Sequence, residues 1–160
     1  KVIDYFLSPV TRSFERAFGH NPAVHLVVKL GLHGEGDLRR HVARPDMVTL
    51  LYEQDGSLAA FAQLRWGAAP GCVAAEAPGE IRRLYVARDR HGTGVARDLM
   101  HACIDEMNRR GSDVVWLGVW EHNPKAMAFY RKFGFEIVGT QTFMLGQERQ
   151  RDLVMSVGIG

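Results

Sequence analysis

The run Asp113-Val-Val-Trp-Leu-Gly-Val-Trp120 constrains this 160-residue chain more than any other stretch. A strand with one wet face alternates apolar and polar residues. A run without alternation must be covered on both faces, as inside a sheet flanked by helices. The residues before it say how the chain gets there. Val95, Ala96, Leu99, Met100, Cys103, Ile104 and Met107 recur at the spacing of one helix face, and Gly111 follows as a helix stop. Ahead of them, residues 80–87 (EIRRLYVA) read as a strand. Strand, helix, strand is a βαβ unit, so strands 80–87 and 113–119 are expected to be parallel and joined by a right-handed crossover.

The rest of the chain arranges itself around that pair. MVTLLYEQDGSLAAFAQLRW is two strand-like runs joined by Asp55-Gly56, a hairpin signal. GAAPGCVAAEAPG has no period and reads as a loop. Asp105 and Glu106 precede Arg109 and Arg110 by four residues, the favourable order for ion pairs on a helix. Asn123-Pro124 is a capping residue followed by a proline suited to the first helical position, and the helix it starts stops at Gly134. FEIVGTQTFML and DLVMSVGI read as two further strands, antiparallel like the hairpin. Before residue 46, TRSFERAF and EGDLRRHVARP read as short helices, and AVHLVVKLGLHG fits helix or strand. The expected fold is a mixed, mostly antiparallel sheet around one parallel βαβ pair with helices packed on it, an α/β or α+β domain. One domain over 1–160 is expected: a helical region at 1–45, antiparallel strands at 46–87, turn, helix, strand and helix at 88–134, and closing strands at 135–160.

Composition removes several functions. A net charge of +2 and the lack of any long Lys/Arg block argue against nucleic acid as a partner. The longest apolar runs are far too short to cross a membrane. KVIDYFLSPV lacks the parts of a signal peptide, and Cys72 and Cys103 form no CxxC, so a cytoplasmic protein with reduced thiols is expected. The histidines show no HExxH and no pairing with cysteine, so no metal is expected, and no GxSxG nucleophile motif is present. Cys103 falls on the buried stripe of its helix and reads as core rather than nucleophile.

The segment RHGTGVARDLM, residues 90–100, carries the chemistry. It is not a phosphate loop of the GxxxxGK[ST] kind, since no Gly-Lys pair exists in the chain, and Arg97 breaks the dinucleotide pattern GxGxx[G/A]. A glycine turn at a helix start still offers converging backbone N–H groups to an anion. A plain tight turn satisfies the same spacing.

Two blocks together resemble the GNAT superfamily of N-acetyltransferases. Gly92-x-Gly94-x-Ala96, after RRLYV and before an amphipathic helix, resembles that family's [Gln/Arg]-x-x-Gly-x-[Gly/Ala] motif, with His91 at the position where the family has Gln or Arg. NPKAMAFYRKFGF resembles its Asn-x-x-Ala-x-x-x-Tyr-x-x-x-Gly-Phe segment at Asn123, Ala126, Tyr130, Gly134 and Phe135. Over residues 80–157 the chain looks like the bacterial spermidine/spermine acetyltransferases of the Pai type. The family's first strand has no counterpart in KVIDYFLSPV.

The resemblance implies an acetyl-CoA-dependent N-acetyltransferase working by direct attack in a ternary complex, with the parallel strands splayed to admit pantetheine. It implies that Leu84, Tyr85 and Val86 line the cofactor, Leu84 and Val86 through backbone hydrogen bonds, and that the Leu84 amide polarises the acetyl carbonyl. It places the pyrophosphate on the turn His91, Gly92, Thr93, Gly94, Val95 and Ala96, with Asn123 and Tyr130 also touching the cofactor. Tyr130 is the implied general acid and Glu80 the implied base, with Glu121 in reserve. Structural roles compete at each position: Leu84, Val86 and Tyr130 as core, the last beside Met127 and Phe133; Asn123 as a helix cap; Glu80 as a solvated strand start. The implied acceptor is a primary amine of a small molecule, a polyamine among them, and Glu15, Glu35, Asp37, Glu76 and Glu80 are the carboxylates available to read its charge. An amino-acid, antibiotic or protein amine, or a non-catalytic CoA-binding module, are the other readings. The chain is expected to be a monomer or a homodimer.

Overall fold

The structure, a computed structural model, describes residues 24–27, 46–54, 57–145 and 148–160. The helices expected in TRSFERAF and EGDLRRHVARP, the Asp55-Gly56 turn, and Glu15, Glu35 and Asp37 lie outside the described residues. Backbone contacts group the chain into two compact units, one built from residues up to Arg65 with Arg83–Asp105, the other from Trp66–Arg82 with Glu106–Gly160.

In the first unit β1 (Val24–Val27) pairs antiparallel with β2 (Met47–Gln54), and β2 pairs antiparallel with β3 (Ser57–Trp66). The ambiguous segment AVHLVVKLGLHG therefore supplies a strand. The expected hairpin is present, with Thr49 opposite Gln63 and a register shift at Tyr52/Glu53. Met47–Leu51 and Ala59–Leu64 are buried without alternation, so polar Thr49 and Gln63 are enclosed with their neighbours. A buried amide needs a partner. Gln63 has one in Arg83, whose Nη1 donates to Oε1 at 3.0 Å. Arg83 lies on β4 (Pro78–Val86), the strand along which the chain passes from one unit to the other.

In the second unit the strand order is β4, β5 (Val114–Trp120), β7 (Glu148–Gly158), β6 (Glu136–Leu145). The expected parallel pair is present, and β4 begins at Pro78, two residues before the sequence pattern suggests. The parallel ladder joins Pro78, Gly79 and Glu80 to Val114, Val115 and Trp116 and stops there, although Ile81 and Arg82 prolong β4 and Leu117–Trp120 prolong β5. On its other edge β5 is paired with β7 along its full length, from Val114↔Gly158 to Trp120↔Asp152. The mixed, mostly antiparallel sheet with one parallel pair is thus as expected.

Helix α1 (Val95–Arg109) buries Val95, Leu99, Met100, Cys103 and Met107 of the periodic set read from the sequence, leaves Ala96 and Ile104 partly buried, and Gly111 beyond it takes φ +80°, the left-handed stop. Burial raises the Cys103 thiol pKa, which leaves it an inert core side chain. Of the two ion pairs expected at the helix end, Glu106–Arg110 forms, and Arg109 turns to Glu106 instead of Asp105. Glu106, only 7% exposed, takes both arginines, Arg109 at 2.7 Å and Arg110 at 2.7 Å, while Asp105 stays exposed. The cause is burial: a carboxylate turned inward gathers the cations that a solvated neighbour does not need. Arg110 also lies over the Trp66 ring at 4.4 Å, and the Trp66 indole donates to Ser112 Oγ at 3.0 Å. Gly79 sits under this corner. A Cβ there would collide with Met107 Sδ and lie 3.0 Å from Ser112 Oγ, so the second rung of the parallel ladder packs directly on the helix end.

The loop at 67–77 is fastened by Asp113, which accepts from the Glu76 and Ala77 amides at 2.7 and 3.0 Å. Val73 joins Trp116 and Val154 in a small core, flanked by Ala69, Ala75 and Val114. Helix α2 (Pro124–Arg131) follows β5, and none of its residues is fully buried. Among the described residues no helix is long and apolar enough to cross a membrane, and no group of three His, Cys, Asp or Glu side chains could hold a metal ion.

Hydrogen bonds from Arg109 and Arg110 hold the Glu106 carboxyl below its usual range, and the Glu76 and Ala77 amides do the same for Asp113. A depressed folded-state value stabilises the fold above the unfolded value and loses that contribution as pH falls through the folded one. Thermal unfolding from pH 7 to pH 2 should show the melting temperature dropping below about pH 4.3, the free glutamate value. Glu106→Gln should melt lower at pH 7 and lose less on acidification, with the Asp113 share of the acid slope remaining.

Candidate active site

The predicted site residues fall in both units, and each set is built within its own. In the first, β4 ends at Val86 and the Ala87 amide donates to the Ala59 carbonyl at 2.8 Å. A short 3-10 turn, Arg88–Arg90, follows. The chain then reverses through Gly92 at φ +78° and Gly94 at φ +92°, a region that side chains with a Cβ rarely enter. Polar contacts set the turn. The His91 and Thr93 amides donate to the Arg88 and Arg90 carbonyls at 3.3 and 3.4 Å, and the Thr93 hydroxyl donates to the Arg90 carbonyl at 2.6 Å. His91 Nε2 lies 3.1 Å from the Val86 carbonyl, so the ring folds back on the strand end. The amides of His91 and Thr93 are thus engaged inside the turn, and these two positions shape it.

What remains for a ligand is the helix start. Asp98 N–H to the Gly94 carbonyl, at 3.0 Å, is the first bond of α1, so the N–H groups of Val95, Ala96 and Arg97 have no acceptor within the helix. The outer side is open. A Cβ on Gly92 would meet nothing within 4 Å, and one on Gly94 would meet only the Arg97 guanidinium, at 3.4 Å. Space is therefore not what requires glycine here; backbone conformation is. Arg97 is paired with Asp98 at 3.0 Å, and Asp98 also accepts from the Tyr52 hydroxyl at 3.4 Å. A glycine turn at a helix N-terminus, with only the Arg97 guanidinium beside it among the described residues, fits a pyrophosphate group. Of the strand residues, Val86 is buried and Leu84 and Tyr85 are partly so. Tyr85 packs on Phe61 with ring centroids 5.0 Å apart, and burial raises its pKa against the opposing pull of Arg83.

In the second unit Glu80 closes the parallel ladder opposite Trp116. It is partly buried, and its Oε2 is enclosed. A solvated strand start is therefore not its environment. Asn123 caps α2: its Oδ1 accepts from the Ala126 amide at 3.1 Å, and Pro124 occupies the first turn. Tyr130 lies on the last turn of α2, partly exposed, against Phe129 at 5.5 Å and Phe135 at 6.0 Å. Met127 and Phe133, which share its face, are no more than partly buried, so α2 presents Tyr130 at a surface rather than in a core. The Tyr130 carbonyl accepts from the Phe133 and Phe135 amides at 2.9 and 3.3 Å, which fastens the end of the helix. Glu121 lies 3.7 Å from Arg151 and 3.8 Å from His122. Glu76 is exposed in the loop. The sequence reading passed over Asp152, whose one signal is a carboxylate placed just before the apolar stretch of a strand.

A family model described as "Acetyltransferase (GNAT) family" matches residues 12–135. An uncharacterized N-acetyltransferase of Mycobacterium bovis is 45% identical over 76 residues, 48% of this chain and 49% of that protein, so the match spans about half the length of that relative. Among solved structures, the ribosomal-protein-S18-alanine N-acetyltransferase of Escherichia coli superposes with a TM-score of 0.59 at 24% identity, covering 72% of this chain and 71% of that one. The PaiA N-acetyltransferase of Thermoplasma acidophilum, solved in complex with coenzyme A, gives 0.60 at 20% identity, covering 79% and 72%.

Asn123→Ala should cost about 1 kcal/mol, the usual worth of a helix cap. Urea titration checks the stability, and faster amide exchange in 124–131 than in α1 checks that the loss is local.

Proposed function

Since the chain belongs to the acetyltransferase (GNAT) family, we propose that it transfers an acetyl group from acetyl-CoA to the primary amine of a small molecule, a polyamine within that class. The turn at Gly92 and Gly94 carries this reading, because two left-handed glycines open the start of α1 to an anion that the rest of the turn does not use. Acetyl-CoA, when bound, supplies the acetyl group as an activated thioester.

The chain's own residues then have distinct tasks. The amides at the start of α1 hold the pyrophosphate, with His91, Gly92, Thr93 and Gly94 giving the turn its shape. Leu84 and Val86 orient the pantetheine through their backbone, with Tyr85 beside them, and the Leu84 amide stabilises charge on the acetyl oxygen. Support for a ligand along this strand comes from the early end of the parallel ladder at Glu80. Tyr130 donates the Oη proton to the departing sulfur: a phenol near pKa ~10 is matched to a thiol near ~8.5. An alkyl ammonium near ~10.4 must lose a proton before it attacks, and Glu80 accepts it, with Glu121 as the reserve carboxylate. Asn123 adds a cofactor contact to its capping role.

Free-thiol release from acetyl-CoA with a panel of polyamines, amino acids, aminoglycosides and peptide amines tests the reaction and its acceptor together; no release with any of them leaves a CoA-binding module. Tyr130→Phe should lower kcat by about 10²-fold with a far smaller change in CoA affinity, and wild-type turnover would return Tyr130 to a structural role. Gly94→Val, forced to φ +92°, should weaken CoA binding sharply by calorimetry in a protein that still melts cooperatively.

A further inference from the structure

Trp120, Asp152 and Gln141 stand opposite one another on three neighbouring strands, β5, β7 and β6. Opposed residues project to the same face. Gly118 and Val154, two residues along, belong to that face as well. Gly118 leaves a gap in it. A Cβ there would lie 2.6 Å from Gln141 Nε2 and 3.5 Å from Asp152 Oδ2, so both side chains reach over the glycine. Trp120 is 46% exposed beside them.

The Asp152 carboxylate is partly buried, and burial raises its pKa, with no cation among the described residues pulling it back. Its chain neighbour Arg151 projects by strand alternation to the other face, where it meets Glu121. A carboxylate held half out of water, with no counter-ion among the described residues, stands next to a half-exposed indole that meets the His122 ring in a T-shape at 5.2 Å. That pairing suits an alkylammonium group: the carboxylate gains a partner and the ring attracts the charge. Glu80, opposite Trp116, lies on this same face. From Trp116 to Trp120 is about 13 Å along the strand at ~3.3 Å per residue.

We propose that Asp152 and Trp120 form a cation subsite for the second, non-reacting ammonium group of a diamine or polyamine acceptor, with Gln141 beside them. The subsite rests on reading the chain as an amine acetyltransferase, and it makes Asp152 a specificity-determining residue.

The test compares 1,4-diaminobutane, 1,8-diaminooctane and spermidine with butylamine and octylamine. KM values come from thiol release, and binding of each amine without acetyl-CoA comes from calorimetry. Asp152→Asn should raise the ratio of diamine KM to matched monoamine KM by about tenfold, the scale of one charged hydrogen bond. It should weaken diamine binding in the calorimeter to match. Trp120→Ala should move the ratio in the same direction and Trp120→Phe less. Because burial works against the Asp152 charge, Asp152→Asn should not lower the melting temperature at pH 7, whereas a structural carboxylate would. An unchanged ratio, or an equal loss for monoamines and diamines, overturns the subsite and leaves the acetyltransferase reading standing. Diamine binding that Asp152→Asn abolishes, in a protein that acetylates no amine, upholds the subsite and overturns acetyl transfer.

Discussion

The parallel ladder between β4 and β5 is three rungs long, and the rest of the second unit depends on where it stops. Both strands continue past Glu80 and Trp116. β5 can do so because β7 pairs with it along its full length, and Val115, Trp116, Leu117 and Val119 stay buried. A strand that loses one neighbour keeps its shape only if the other neighbour holds it, since unpaired buried backbone groups are costly. The antiparallel β5–β7 pairing is therefore what lets an edge open inside a sheet. The last rung is Glu80, so the carboxylate is fastened at the point where the ladder with β5 ends.

The same logic of local support holds at each piece of the candidate site. The glycine turn takes its shape from Arg88, Arg90 and Thr93, all within a few residues. Asn123 and Pro124 start α2, and the Tyr130 carbonyl closes it. Short-range determinants of this kind fold with little loop-closure cost and leave side chains such as Tyr130 at a surface instead of burying them.

How much of this was legible follows from the range of the forces involved. Most of the buried face of helix α1 was legible because periodicity records a single face, and Gly111, Asn123 and Gly134 announced their turns through local conformation. The partners of Glu106 were read less well: spacing offered Asp105 with Arg109, and only burial decides that Glu106 collects both arginines. The strand at Val24–Val27 was ambiguous because a short, mostly apolar stretch suits either structure, and pairing with β2 settles it. Asp152 could not be singled out, because what sets it apart is the side chains across two strands and the missing Cβ of Gly118. Neither is recorded near it in the chain.

Gly79 has a consequence for how such a chain can vary. Every residue but glycine carries a Cβ, and at this position a Cβ meets Met107 and Ser112, both buried. Alanine here is an overpacking change, worth about 1–3 kcal/mol against the fold. A shorter side chain at 107 would relieve it, while creating a void of its own if it came first. Each step is unfavourable alone and tolerable in company. The two positions should therefore drift as a linked pair across descendants of this sequence, and a library that randomises one should recover function chiefly when it randomises the other.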